Sequence, residues 1–371
     1  MKPKLKFLTL ILTASVLLAG CFPTGEKEIP GTSQPVGENN SGGYSAPTVD
    51  IDVNRKVDNV TFDYVISAAL PTQAPKIKLK AKKTDAELLK NVFLSDKTIT
   101  SEKVQGNLTL YNTSDDSVLS IYPSTFTFRN GGIADRLKNF EALGDHYGDI
   151  CHSSSEELKS FPRRDAVQLA NDVLDKAGFK NYAEPYIITV TPEMGNAFLE
   201  EHGGFLKDTA EYYPWTEDEG VYVLKYPFNV NGIDLSTFEI RTLSSGRTII
   251  GPMVTVFVIK EGILYLNVTT TYGVVSENAG AADFKFNAEY ASNAMIDYYS
   301  KRTINHPTFF TECTLEYIPL DIEGDGVDFE IVFTPAWCFK GYYTAGDTSF
   351  HLYFDNADYY YVETGIRYGR Y

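Results

Sequence analysis

The sequence is poor in the residues that build metal centres and activated nucleophiles. Its 371 residues include four cysteines and five histidines. None of the histidines shows the i, i+4 spacing, or the company of a Cys-x-x-Cys pair, that brings ligands together on a metal. They are His146, His152, His202, His306 and His351. Gly-x-Ser-x-Gly elbows, phosphate loops and dinucleotide fingerprints are also absent from the sequence. We therefore predict a non-catalytic protein that holds no metal and no cofactor.

Basic side chains are scarce as well, and no segment interleaves them with aromatic residues. The chain carries 33 lysines and arginines against 49 aspartates and glutamates, a formal charge of −16. Nucleic-acid binding depends on cationic side chains that neutralise phosphates. The composition therefore excludes a nucleic-acid partner.

Long apolar runs are missing, and the one run that comes near a membrane-spanning length lies at the N-terminus. It extends from Phe7 to Leu18 after three lysines, and it is shorter than the roughly 18 to 20 residues that cross a bilayer. A charged start, a short apolar run and a small-residue cleavage site are typical of an export signal. We predict a lipoprotein signal peptide over residues 1–20.

The end of this signal, Leu18-Ala19-Gly20-Cys21, matches the bacterial lipobox. In that motif the cysteine is lipidated, with palmitate-type acyl chains, and becomes the mature N-terminus. We predict that Cys21 carries lipid and holds the protein on the extracytoplasmic face of a cell membrane. Removal of the signal leaves 30 basic and 49 acidic side chains, a charge of −19, so attraction to anionic headgroups contributes nothing to anchoring.

The segment after the lipobox has no apolar periodicity. From Phe22 to Asp50 it is rich in Pro, Gly, Ser, Asn and Glu, a composition that cannot bury enough apolar surface to fold. We predict that residues 21–50 form a flexible tether, which would span about 30 Å on average.

The rest of the chain predicts an α+β fold made of repeated units, each with one helix packed on an antiparallel β-meander. The predicted units cover residues 51–150, 151–285 and 286–371. Their helices begin at the capping box Thr84-Asp85-Ala86-Glu87, at Pro162 and at the cap Asn287. An alternating strand and helix pattern, typical of the common solute-binding lipoproteins, is absent from the sequence.

A helix is predicted from Pro162 to Ala177, with a buried stripe of Ala166, Ala170, Val173 and Ala177. The helix that begins at Asn287 is predicted to bury a wide face formed by Tyr290, Ala294 and Tyr298, beside Ala291 and Met295. A short helix is predicted from Pro192 to Glu201.

The predicted strands are Val60–Ala68, Gln105–Tyr111, Val118–Tyr122, Thr125–Arg129, Tyr186–Thr191, Val221–Phe228, Val254–Ile259, Ile263–Thr270, Thr311–Pro319, Phe329–Phe339, Ser349–Phe354 and Tyr360–Tyr368. Asn231-Gly232 and Glu261-Gly262 are predicted hairpin turns, because their residues tolerate positive φ.

Three cysteines remain after Cys21 is lipidated, in a compartment where disulfides persist. Pairing Leu320 opposite Ile331 across a hairpin places Cys313 opposite Cys338, within disulfide range. We predict a Cys313–Cys338 disulfide and a free Cys151, with two buried free thiols as the alternative.

Two further segments carry residue types that bind ions. His146, Cys151 and His152 bring a thiol and two imidazoles into one polar loop, which could hold zinc or form a nucleophile pair, but a plain turn is the preferred interpretation. The acidic turn from Asp321 to Asp328 resembles the front of a calcium loop, although Val332 stands where the bidentate glutamate belongs. We interpret it as a hairpin turn, with calcium as the alternative.

Twenty-five tyrosines raise the question of a sugar site. The candidates are Tyr342, Tyr343, Tyr353, Tyr359, Tyr360 and Tyr361. Tyrosine also fits a half-buried pleated face, so structure explains most of them without a ligand.

The second half of the chain resembles the extracytoplasmic YycH/YycI-type regulatory proteins of Gram-positive bacteria, over about residues 164–371. The likeness lies in YVLKYPFNVNGIDL from Tyr222, in GPMVTVFVIKEGILYL from Gly251 and in a later strand ending Thr334-Pro335-Ala336-Trp337. This chain departs from that pattern in having a lipobox where those regulators have a transmembrane helix, and in placing Tyr359 after Asp358 where they have glycine. The resemblance implies a non-catalytic role in restraining a sensor kinase by protein binding.

We therefore expect a lipid-anchored extracytoplasmic protein that binds or regulates another cell-envelope protein. Its contact surface is predicted on the uncovered sheet faces, rich in aromatics such as Tyr222, Tyr226, Tyr265 and Tyr353. A surface lipoprotein that binds carbohydrate or peptide is one alternative. A hydrolase with an unrecognised site is the other.

Overall fold

The computed structural model describes residues 49–134, 156–202, 214–236, 240–242, 248–323, 330–345, 352–365 and 367–368. The predicted signal peptide, Cys21, most of the predicted tether and the segment with His146, Cys151 and His152 lie outside these residues. So do His351 and residues 324–329 of the acidic turn. No helix in the described ranges is long and apolar enough to cross a membrane.

The described residues form mainly strands. In chain order the strands are β1 (Ile51–Val57), β2 (Val60–Ile66), β3 (Ile77–Ala81), β4 (Ile99–Gln105), β5 (Leu108–Thr113), β6 (Val118–Ile121), β7 (Phe126–Arg129), β8 (Tyr186–Val190), β9 (Val221–Pro227), β10 (Asn229–Val230), β11 (Ile233–Leu235), β12 (Ile240–Thr242), β13 (Thr248–Ile250), β14 (Met253–Ile259), β15 (Gly262–Val268), β16 (Tyr272–Ser276), β17 (Thr308–Glu323), β18 (Glu330–Ala345), β19 (Leu352–Tyr361) and β20 (Arg367–Tyr368). The helices are α1 (Ala86–Leu94), α2 (Gly131–Ala134), α3 (Arg163–Lys176), α4 (Pro192–His202) and α5 (Ala288–Ser300).

These strands build two large sheets. Sheet I has ten strands, in the order β1-β2-β17-β18-β19-β20, with β3 joining β18 to β16 and β11 joining β17 to β10. Sheet II has eight strands in the order β4-β5-β6-β7-β15-β14-β9-β8. Strands β12 and β13 form a separate pair. The prediction of a mixed α+β fold is confirmed.

The repeated helix-on-meander arrangement is not confirmed. Sheet I combines β1 to β3 with β17 to β20, and β2 runs parallel to β17 with Phe62 beside Phe310. Sheet II likewise takes strands from the first and the middle predicted units. The two paired phenylalanines are fully buried and their rings stack at 5.6 Å, so burial of apolar side chains from distant segments determines which strands meet.

The helices begin and end close to the predicted residues, with one shift at the first of them. Asp85, not Thr84, caps α1, because its carboxylate accepts a hydrogen bond from the Leu88 N–H at 3.0 Å. The Thr84 hydroxyl donates to the Tyr122 carbonyl instead. Asn287 caps α5 as predicted.

Each sheet has a core beneath its helices. Helices α1 and α3 pack on sheet II through Leu89, Phe93, Ala166, Ala170 and Leu174. Helix α5 packs on sheet I, but its buried stripe is Ala288, Ala291, Met295 and Tyr299. The predicted face around Tyr290, Ala294 and Tyr298 was therefore partly wrong: the helix is rotated so that small residues approach the sheet and Tyr298 lies between two arginines, Arg302 and Arg367.

Most predicted strands are present, and the hairpin turn at Asn231-Gly232 is confirmed by φ values of 55° and 80°. The C-terminal strands differ: the predicted strands Ser349–Phe354 and Tyr360–Tyr368 are replaced by the continuous strand β19 and the short β20. Strands β1, β3, β4, β12, β13 and β16 were not predicted. Consecutive polar residues interrupt the alternation in β1 and β4, whereas β3 alternates clearly and was missed.

Candidate functional site

The predicted cysteine pair is not formed. Cys313 lies opposite Phe339 and Cys338 lies opposite Thr314, one residue away from the predicted register. Adjacent residues in a strand point to opposite faces, so Cys313 enters the core beneath α5 and Cys338 enters a second cluster on the other face. Both are buried free thiols. Burial raises the pKa of Cys313 to about 12 and that of Cys338 well above its ordinary value, so neither is a reactive thiolate.

The face of sheet I that holds Cys338 also contains an unusual group of charged and polar side chains. Glu316 on β17 and Lys340 on β18 form an ion pair. The glutamate side chain is 3% exposed and the lysine side chain 24% exposed. A carboxylate so completely removed from water needs such a partner, because the cost of an unpaired buried charge is several kcal/mol.

Two hydroxyl groups extend this pair into a chain of hydrogen bonds. Tyr359 on β19 donates to the second oxygen of Glu316, Oε2, at 3.2 Å. Ser236, at the end of β11, donates in turn to the Tyr359 hydroxyl at 2.6 Å. We call Ser236, Glu316, Lys340 and Tyr359, together with Tyr186, the Lys340 cluster.

Tyr186 brings sheet II into the cluster. It begins β8, the edge strand of sheet II, and its hydroxyl accepts a hydrogen bond from Lys340 Nζ at 2.8 Å. The same ammonium lies 5.0 Å from the centre of the tyrosine ring. The Lys340 cluster therefore connects the two sheets, with one cation shared between a carboxylate of one sheet and an aromatic residue of the other.

Asp234 adds a second carboxylate beside the cluster. It lies on β11 opposite Glu316 and accepts a hydrogen bond from Asn229 at 2.7 Å. Burial, reinforced by the nearby charge of Glu316, raises the pKa of Asp234. The charge of Lys340 lowers the pKa of Asp234, but by less than Glu316 raises it.

The protonation states of the cluster do not favour nucleophilic or base chemistry. Burial would lower the pKa of Lys340, but Glu316 and its other neighbours hold that pKa well above its ordinary value. Burial also raises the pKa of Tyr359. The Ser236 hydroxyl donates its proton to a phenol, not to a base, so it is not activated.

The prediction that Tyr222 and Tyr226 of β9 lie on an uncovered sheet face is wrong. Tyr222 is 0% exposed and Tyr226 is 3% exposed, because β9 lies inside sheet II with α3 on one face and the residues around Trp215 on the other. The Tyr222 hydroxyl accepts from the Leu158 N–H at 2.7 Å and donates to the Phe161 carbonyl at 2.9 Å. It is therefore a structural residue.

The other predicted sites are resolved only in part. Tyr359 and Tyr360 are buried, Tyr342, Tyr343 and Tyr361 are half-buried, and the side chain of Tyr353 lies outside the described part. His306 lies beside Tyr343, with ring centroids 6.1 Å apart. Asp321 accepts a hydrogen bond from the Ile322 N–H. Within the described ranges no three His, Cys, Asp or Glu residues come together as metal ligands.

One open pocket occurs where the two sheets meet near the Asn231-Gly232 turn. Its wall contains the amide side chains of Asn181, Asn229 and Asn231, together with Tyr182 and Glu277. The Asn229 amide is already engaged with Asp234 and the Gly232 N–H, and the Asn231 amide donates to the Glu277 carbonyl. Asn181 and Glu277 are exposed.

Sequence reasoning did not identify the Lys340 cluster. The sequence does contain a signal, because Glu316 is the one charged residue between Cys313 and Leu320, and Lys340 is the one charged residue between Ile331 and Ala345. A charge in such a position predicts a buried partner. What the sequence does not show is which partner, because that depends on the register between two strands and on the approach of Tyr186 from another sheet.

Comparison with known proteins identifies a fold but no family. No protein-family model matches the chain, and no curated protein matches it. Among solved structures, the chain is similar to an uncharacterised protein from Eubacterium rectale ATCC 33656, with a TM-score of 0.60 and 14% sequence identity. The match covers 85% of this chain and 92% of that one. At this identity the likeness establishes the fold alone.

Proposed function

We propose that the protein is a lipid-anchored extracytoplasmic bacterial lipoprotein that is not an enzyme and that binds or regulates another cell-envelope protein, in the manner of a sensor-kinase modulator. The lipobox at Cys21 supports the location. The resemblance to YycH/YycI-type regulators supports the role. The protonation states of the Lys340 cluster favour a structural use of its side chains over catalysis.

The observation that carries protein binding is the free edge of sheet II. Strand β4 is the end of the sheet and pairs only with β5 among the described strands. Val104 on this edge is 68% exposed. The Gln105–Leu108 pair closes the hairpin around Gly106 and Asn107, so Glu102 and Val104 direct their backbone groups away from β5. A partner strand added here would gain main-chain hydrogen bonds and cover an exposed apolar side chain.

A pair of substitutions at Val104 tests this proposal in the native cell. Val104→Pro removes the outward N–H and blocks strand addition, and an edge strand tolerates proline there. Val104→Ala keeps the N–H. We expect membrane-side crosslinking to capture the same identified protein with the wild type and with Val104→Ala, and to lose it with Val104→Pro. Capture that is equal for all three chains contradicts a partner at this edge.

A carbohydrate-binding lipoprotein is the second candidate, and the pocket at Asn181, Tyr182 and Glu277 favours it. Amide and carboxylate groups beside an aromatic ring are suited to sugar hydroxyls. A soluble mature chain that binds a defined polysaccharide with roughly micromolar affinity, while crosslinking captures no protein, would establish this candidate in place of the first. A hydrolase site finds no support in the Lys340 cluster.

A further inference from the structure

Strand β1 forms the free edge of sheet I. It pairs with β2 through all seven residues, from Ile51 opposite Ile66 to Val57 opposite Val60, and with no other described strand. The backbone of β1 therefore has one side on which its hydrogen-bonding groups have no strand partner. Such an edge is available to another chain.

The hydrogen-bond pattern shows which residues of β1 face outward. Thr308 of β17 donates its N–H to the Asn59 carbonyl at 2.8 Å, so the odd-numbered residues of β2 bond to β17 and the even-numbered residues bond to β1. In the observed register each even-numbered residue of β2 is opposite an odd-numbered residue of β1. Asp52, Asn54 and Lys56 therefore direct their N–H and C=O groups away from the sheet.

The charges of these outward residues match those of the same strand in a second copy, when the two strands run antiparallel. If Asn54 lies opposite Asn54 of a second copy, Asp52 lies opposite Lys56 and Lys56 lies opposite Asp52. We propose that β1 pairs with β1 of a second copy of this chain about a two-fold axis at Asn54, so that two copies of sheet I become one continuous sheet. Asp52, Asn54 and Lys56 then form three hydrogen-bonded backbone pairs, each exchanging two N–H···O bonds.

The side chains fit this pairing on both faces of the strand. Asp52, Asn54 and Lys56 are exposed, and within the described ranges neither charge has an ion-pair partner. On the other face Ile51, Val53 and Val57 are partly buried against the core of sheet I. The pairing places Ile51 opposite Val57 of the second copy, which extends the core at both ends of the strand, and places Val53 opposite the exposed Arg55 near its centre. On the outer face it neutralises the charges of Asp52 and Lys56.

The complementarity belongs to one register. A shift by one residue brings outward backbone groups against residues that already bond to β2. A shift by two leaves only one charge of β1 opposite Asn54 and places the other opposite a residue beyond the strand, Lys56 opposite Asp50 or Asp52 opposite Asp58. A shift by four places Asp52 opposite Asp52 or Lys56 opposite Lys56. Edge strand β4 offers no such match, because the registers centred in that strand place Glu102 opposite Glu102 or Lys103 opposite Lys103. Like charges directly opposite destabilise a strand pair.

Exchange of the two charges tests the pairing. The mature chain from residue 21, with Cys21→Ser so that its mass is free of lipid, is measured by sedimentation equilibrium. We expect a dimer whose dissociation constant rises roughly tenfold or more for Asp52→Lys and for Lys56→Asp, since each reversal creates two like-charge pairs. The double variant Asp52→Lys/Lys56→Asp restores the wild-type value. Asp63→Lys, an exposed charge reversal on β2, is the matched control and leaves the dimer unchanged.

Cysteine crosslinking provides an independent measurement at the two-fold axis. In the same chain Asn54→Cys places two thiols on residues about 5.5 Å apart between Cα atoms, which is within disulfide range. Asp63→Cys, directly beside Asn54 on β2, would be about 14 Å from its counterpart. We expect mild oxidation to give a covalent dimer of Asn54→Cys, and none of Asp63→Cys or of the unsubstituted chain. A monomeric wild type, or a dimer indifferent to the charge reversals, overturns the proposal, and neither result bears on the partner proposed at Val104.

Discussion

At the residue scale, the most demanding position in sheet I is Gly341. It lies opposite Phe310, where a bulge between Phe310 and Glu312 crowds the two strands. A Cβ atom at Gly341 would lie 1.7 Å from the Phe309 carbonyl oxygen. Since that oxygen belongs to the backbone, the strand itself would have to move.

We expect Gly341→Ala to lower the free energy of unfolding by about 3 kcal/mol, as overpacking against a fixed backbone does. Gly273→Ala on β16 is the matched control, because the nearest atoms to its Cβ are 4.0 Å away, and we expect it to be neutral or slightly stabilising. Urea unfolding of both variants measures the difference. Equal midpoints would mean that the bulge relaxes without cost.

Asp115 is the residue whose charge state depends most on local hydrogen bonds. Burial raises its pKa, but bonds from Lys97, Thr113 and Ser117 outweigh burial and hold the pKa of Asp115 well below its usual range. Lys97 Nζ lies 2.7 Å from its Oδ2. Because the folded pKa lies below the unfolded value of about 3.9, the resulting stability is present above that value and is lost as the pH falls through the folded pKa.

We expect Asp115→Asn to lower the free energy of unfolding by about 1 kcal/mol at neutral pH, a value that allows for the one-third exposure of the Asp115 side chain. The difference from the wild type narrows below about pH 4. Urea unfolding over a series of pH values measures it. A difference that stays constant into the acid range would show that the charge of Asp115 is not what stabilises the turn.

At the element scale, the ion pair between β17 and β18 predicts an asymmetric response to substitution. Lys340→Met leaves the almost fully buried Glu316 without its cation, and we expect a loss of about 3 to 5 kcal/mol. We expect Glu316→Leu to lower the free energy of unfolding by less than Lys340→Met does. Lys340 is a quarter exposed, so its ammonium can reach water when Glu316 is absent.

The double variant Glu316→Leu/Lys340→Met completes the cycle. We expect it to be more stable than Lys340→Met alone, since no charge remains buried without a partner. Chemical denaturation of the four chains gives the coupling energy. Additive losses would contradict a direct interaction between the two side chains.

The elements that the sequence predicted well are those whose signals are local. Asn287 with its cap and Gly178 with its positive φ each define a helix end through neighbouring residues alone. The register of β17 against β18 could not be obtained in this way. Next to the turn Ile331 lies opposite Ile322, two residues from the predicted Leu320, and the bulge between Pro319 and Asp321 reverses only one of these two residues. The remaining shift of one residue places Cys338 opposite Thr314 and separates it from Cys313.

At the scale of the whole molecule, the strand order of the two sheets lay beyond sequence reasoning. Local patterns describe hairpins, but the parallel contact of β2 with β17 joins residues almost 250 positions apart, as in the bond from Asn59 to the Ile304 carbonyl. The same distance in sequence explains why the Lys340 cluster was missed, since its residues come from β8, from the end of β11 and from three strands near the C-terminus.

The lipid anchor gives the last prediction. The mature chain is acidic, so electrostatics repel it from anionic headgroups. In the proposed lipoprotein, lipid on Cys21 would provide all of the membrane affinity, and about 0.8 kcal/mol per buried CH₂ makes two or more acyl chains sufficient for stable anchoring. We expect Cys21→Ala to move the protein from the membrane to the soluble fraction on cell fractionation, with the wild type remaining membrane-bound in high salt. A Cys21→Ala variant that still sediments with membranes in high salt would show that protein contacts, not lipid, hold the chain there.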